Sequence, residues 1–110
     1  MPEKTGCVGE VAALVIHGVD DTHVMFTSGE EARDFYLAQN HCAATSVPAV
    51  ADLHPRVVAN RESHECAVYD GCDLGKPVTW CEHSEGGYDG STHGWPLFGG
   101  ARIWEFVQGL

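Results

Sequence analysis

Residues 11–24 read VAALVIHGVDDTHV, and this stretch decides the fold. Residues 11–17 are an almost continuous apolar run closed by Gly18, the pattern of a strand buried on both faces of a parallel sheet and too short for a buried helix. Gly18 and the acids Asp20 and Asp21 then make a polar turn, where side chains at a strand end are free to face a cleft.

Downstream, Ser28 is placed to cap a helix over residues 29–39, with Glu30 and Glu31 in its first turn and Ala32, Phe35, Tyr36 and Leu37 following. Asn40 is the residue expected to close it in a left-handed conformation. Residues 43–64 carry Pro48 and Pro55 and few periodic apolar positions, and read as a loop or lid-like insert with a weak helical turn near residues 50–53. Residues 66–69 and 77–82 are β-rich runs separated by Asp70, Gly71, Asp73 and Gly75, which predicts neighbouring strands, the second the better one. Residues 86–94, GGYDGSTHG, are nearly all turn formers. After Pro96 a final segment sets Ile103, Phe106, Val107 and Leu110 at helical spacing.

Composition sets the outer limits. A chain of 110 residues with 44% hydrophobic residues supports one folded domain, or a piece of a larger one. Six basic against 16 acidic residues give a net charge of −10, which repels a polyanion and disfavours nucleic-acid binding. The acidic excess is otherwise a solvated surface. No apolar run reaches the roughly 18–20 residues of a membrane span, and residues 1–9 lack the apolar core of a secretory signal. Cys42, Cys66, Cys72 and Cys81 lie among turn residues and read as a disulfide framework of an oxidising compartment, open to three pairings; Cys7 makes the count odd. These features together are expected of the C-terminal part of a secreted protein.

The order strand, acidic turn, helix, insert, strand, Gly-rich turn and helix places Asp21 and His93 after two strands. In an open α/β sheet such loops converge at the carboxyl ends of the strands, and Asp before His is the second half of the chain order Ser, Asp, His. The stretch H-G-V-D-D-T-H-V at 17–24 resembles the acid-bearing turn of α/β-hydrolases, H-G-x-x-D-x-x-V, with Asp21 at the acid and Val24 at the following apolar position. Q-N-H-C at 39–42, Y-D-G-C at 69–72, P-V-T-W-C-E at 77–82, H-G-W-P at 93–96 and I-W-E-F at 103–106 extend the likeness over nearly the whole chain. Together they resemble secreted feruloyl esterases and polyhydroxybutyrate depolymerases, with acetylxylan esterases as neighbours.

That resemblance implies the C-terminal portion of an α/β-hydrolase, incomplete, with a doubly wound, mostly parallel sheet spanning residues 1–110. It implies Asp21 as triad acid and His93 as triad base, with Trp95 and Pro96 shaping the loop behind the imidazole. It also implies an ester-bearing cell-wall polysaccharide or polyester as substrate, no cofactor or metal, and an extracellular setting for the intact relative. The nucleophile elbow G-x-S-x-G is absent from these 110 residues, as is an oxyanion-hole segment, so no appreciable esterase turnover is expected of this chain alone.

Blander assignments compete at each position. An Asp in a turn after a strand is common, and Asp20 lies one position away. His83, after the 77–82 strand, is the runner-up base. H-E-C at 64–66 and C-E-H at 81–83 together offer two sulfur and two nitrogen ligands, the donor set of a small zinc-stabilised binding module, although the tight C-x₂-C spacing is missing. An inactive polymer-binding protein is a further alternative. Trp80 and Trp104 are expected in the core, with their N–H groups bonded to neighbours.

Overall fold

The computed structural model describes residues 9–48, 64–84, 96 and 98–110. In chain order the elements are β1 (Ala13–Gly18), α1 (Phe26–Gln39), β2 (Ser46–Pro48), β3 (His64–Tyr69), β4 (Val78–His83) and α2 (Gly99–Gln108). They form one four-stranded sheet in the order β1-β4-β3-β2.

The sheet is mixed, against the expectation of a mostly parallel one. β1 pairs with β4 in parallel, while β3 pairs antiparallel with both β4 and β2. The connection decides the sense: the long path from β1 to β4 includes α1, whereas β3 reaches β4 through the short turn-rich segment after Tyr69. β4 lies between β1 and β3 and is buried along nearly its whole length. β1 has β4 as its single neighbour among the described residues, and its four middle residues are only half-buried, short of the strand buried on both faces that its apolar run predicts.

The two helices cover opposite faces. Successive strand residues point to opposite sides of a sheet, and laterally paired residues share a side. Trp80 is paired with Val15 on the face of α1, where Phe26 packs on its ring at 5.6 Å and the Arg33 guanidinium stacks over it at 4.9 Å. Ile16, Cys81 and Cys66, in register across β1, β4 and β3, lie on the other face and pack with Leu14, Phe98 and Ala101. Phe98, Val78 and Cys81 are completely buried.

Several sequence expectations need correction. α1 begins at Phe26, three residues before residue 29, and Met25 precedes it without any side-chain cap. The Phe26 ring fills the space between His17 and Trp80, and that packing holds the extra turn in place of a Ser28 cap. The left-handed residue is His41, φ 58°, whereas Asn40 stays right-handed at φ −93°. Cys42 N–H donates to Leu37 O at 2.9 Å and His41 N–H to Ala38 O at 3.3 Å, a Schellman closure with His41 in the position glycine usually takes.

Asn40 is free to do something else, and its completely buried amide ties three segments together. Nδ2 donates to Val11 O at 2.7 Å and to Lys76 O at 3.0 Å, and Oδ1 accepts from Val11 N–H at 3.4 Å. Within the expected insert, Ser46–Pro48 is a short strand; residues 49–63, including the weak helical turn, lie outside the described residues. Trp80 is buried with its N–H on Glu82 at 3.3 Å, as expected, but Trp104 is 64% exposed. The last helix turns Arg102 inward and leaves Ile103, Trp104 and Val107 exposed, as is Leu110 beyond its end.

Candidate functional site

Because β1 and β4 run parallel, their carboxyl ends coincide. Gly18 is in register with His83, and Val19 N–H donates to His83 O at 2.8 Å. The chain therefore leaves β4 beside the turn that leaves β1, the placement from which loops of an open α/β sheet build a cleft.

The β1 turn closes through Asp21 N–H to Gly18 O at 3.3 Å. Its two acids part company there: Asp20 is exposed, while Asp21 is 7% exposed. Asp21 Oδ1 accepts from the His23 N–H at 2.8 Å and the Val24 N–H at 3.0 Å, charge-assisted bonds that fix the carboxylate plane. His17 Nε2 donates to Val24 O at 2.9 Å and stands 3.9 Å from Asp21 Oδ2. Gly29 backs the imidazole so closely that a β-carbon there would meet the ring Cγ at 2.7 Å. Val24, expected to fill an apolar position, is 43% exposed; its backbone N–H and carbonyl are what the turn uses.

His93, the expected base, and Trp95 lie outside the described residues, as does Cys7. Pro96 is buried. The runner-up, His83, is buried at the end of β4 with its ring edge-on to Phe98, centroids 5.5 Å apart. The role of His17 was legible only as one letter of the H-G-x-x-D pattern.

The cysteines pair as Cys42–Cys72 and Cys66–Cys81. The second bond takes both sulfurs that the zinc alternative needs, so the donor set at residues 64–66 and 81–83 is reduced to histidines and acids. His64 is otherwise engaged, stacked on Phe98 with centroids 3.8 Å apart and contacted by Arg102 Nε at 3.4 Å, while Arg102 also bonds Glu105 at 3.1 Å.

A different group forms at the far end of the sheet. Glu10, His41 and Asp73 bring one ligand atom each within 4.8 Å of one another, the only residues among those described that could jointly hold a metal ion. His41 Nδ1 lies 2.6 Å from Asp73 Oδ2. The hydrogen bond to Asp73, and then its charge, hold the imidazole above its ordinary value. The bonds from Glu10 and from His41 hold the Asp73 carboxyl below its own, while the same Glu10–Asp73 bond raises Glu10. All three are accessible to solvent, and their mutual bonds account for the arrangement without an ion.

A cavity of about 180 Å³ under α2 is lined by Leu14, Val68, Pro77, Thr79 and Phe106 with Arg102 and Glu105. It falls short of the roughly 300 Å³ at which pockets for small organic ligands begin.

Taken together, the described residues make a small α/β domain: a mixed four-stranded sheet between two helices, with a buried carboxylate at the carboxyl end of its parallel pair. No protein-family model matches the chain, and no curated protein matches it.

Proposed function

We propose that this chain supplies the acid and base of a serine ester hydrolase of the feruloyl esterase and polyhydroxybutyrate depolymerase kind, acting with a nucleophile that is not among these 110 residues. The observation that carries the reading is the Asp21 carboxylate, buried and hydrogen-bonded at the carboxyl end of β1, beside the end of the parallel strand β4. The segment that follows β4 contains His93.

In this reading His93 takes the proton of a serine hydroxyl as it attacks an ester carbonyl, then returns it to the leaving alcohol. Asp21 fixes the imidazole tautomer and stabilises the imidazolium. The acyl-enzyme is released by water activated in the same way. The substrate is an ester-bearing cell-wall polysaccharide or a polyester. Two disulfides fit an oxidising, extracellular setting, and no described helix is long and apolar enough to cross a membrane.

The test is histidine titration by NMR in the intact chain. Expected is a His93 imidazole, assigned through its loss in His93→Gln, that titrates above the ordinary value of about 6.5 and moves down in Asp21→Asn. A His93 midpoint indifferent to Asp21→Asn overturns the reading. The chain alone is expected to release no p-nitrophenol from its acetate, and release abolished by His93→Ala would show that the nucleophile need not come from elsewhere.

A further inference from the structure

We propose that His17 is the positioning residue of the Asp21 turn; the inference rests on Asp21 being the acid. Two bonds meet on the backbone of one residue, Val24, through the two peptide groups that flank its Cα. The Val24 carbonyl accepts from His17 Nε2 at 2.9 Å, and the Val24 N–H donates to Asp21 Oδ1 at 3.0 Å. A carbonyl oxygen can only accept, so His17 carries its proton on Nε2. Holding Val24 O fixes the orientation of residue 24, and the carboxylate is thereby fixed through the donors of residues 23 and 24.

The imidazole is itself held on several sides. Its backbone is locked into β1 opposite Glu82, Gly29 leaves no room for the ring to move toward α1, and the Phe26 ring flanks it at 5.8 Å. His17 has only 11% of its side chain exposed, so the ring is held in place even though its bond reaches the exposed backbone of Val24. The ring links strand β1 to the turn that follows it.

A role limited to filling space predicts something else. Phenylalanine keeps a ring against Phe26 and Gly29 but brings no donor, whereas glutamine keeps an N–H that reaches a carbonyl at similar range. In the intact chain, His17→Phe is expected to speed exchange of the His23 and Val24 amides about tenfold, and His17→Gln to restore most of the protection. Gly29→Ala, which pushes the imidazole away while keeping it in the chain, is expected to loosen the same two amides. The His93 midpoint is expected to shift in His17→Phe less than in Asp21→Asn.

The wild-type chain supplies a check that needs no variant: ring nitrogen shifts are expected to show His17 protonated on Nε2. Protonation on Nδ1 alone overturns the proposal, and so does His17→Phe with unchanged exchange at residues 23 and 24. Failure of the parent reading looks different. There the amides loosen in His17→Phe while His93 ignores Asp21→Asn, which leaves His17 positioning a carboxylate that is not a triad acid.

Discussion

At its C-terminal end α1 runs into Gln39, Asn40, His41 and Cys42, each tied to another segment: Gln39 to Gly9 O, Asn40 to Val11 and Lys76, His41 to Asp73, and Cys42 to Cys72 by a disulfide. At its N-terminal end Met25 has no side-chain cap, and the Asp21 carboxylate is bonded to the turn before the helix. One end of the helix joins three segments; the other presents a buried anion at the end of a strand. Polar residues placed like the first four raise stability, while a buried acid held by a few local bonds suits chemistry, at some cost in desolvation.

The comparison breaks first at the covalent link. Replacing Cys42 and Cys72 together with alanine opens a loop of 30-residue separation, and about 3–4 kcal/mol of stability is expected to go with it in denaturant titrations. Asn40→Ala is expected to cost about 3 kcal/mol, because a fully buried amide is removed and the part-buried Val11 and Lys76 carbonyls and Val11 amide lose their partner. A loss under about 1 kcal/mol in Asn40→Ala would show that the helix end is not the joint described. Neither change is expected to disturb the His23 and Val24 amides at the other end.

The same two ends were unequally legible in the sequence. The apolar run before Gly18 gave the strand, and the acids after it gave the turn, because both signals are local. The different surroundings of Asp20 and Asp21 depend on the residues that follow, whose amides bond Asp21. At the C-terminal end, Asn before His suggested a left-handed Asn, yet a buried amide that satisfies three distant backbone groups outweighs its local preference and passes the left-handed position to His41. Helical spacing located α2 but not its facing: Arg102 turns inward to meet His64 and Glu105, a tertiary contact invisible to periodicity, and Trp104 turns outward.

At the acid turn a substitution is expected to separate stability from chemistry. Asp21→Ala removes two short bonds and leaves two amides unpaired by it, a cost of about 1–2 kcal/mol, below that of Asn40→Ala. Chemical denaturation of both variants side by side measures the ordering. If Asp21→Ala is the more damaging, the carboxylate is part of the framework and the contrast between the helix ends disappears. If Asp21→Ala is neutral or stabilising, the fold tolerates its own buried acid poorly, as expected of a group retained for function.

The smallest effect concerns His41, where backbone and charge act in opposite directions. A non-glycine residue at φ 58° is strained, so His41→Gly is expected to relieve the Schellman closure, while it also removes the pair with Asp73. The raised imidazole contributes stability that is complete below its ordinary value of 6.5 and fades as pH rises through the higher folded value. The lowered Asp73 carboxyl contributes above its ordinary 3.8 and fades as pH falls through the lower folded value. The pair thus acts most strongly between about pH 4 and 6.5, within the limits those two shifts set. At pH 9, where the imidazole has lost its proton, His41→Gly is expected to raise Tm by roughly 2–4 °C. Near pH 5.5 the gain should shrink or reverse, and high salt should restore part of it because the pair is exposed to solvent. A Tm difference that stays constant from pH 5 to 9 would mean that His41 is held there by its backbone alone, and that Asp73 and Glu10 are neighbours without influence on the helix end.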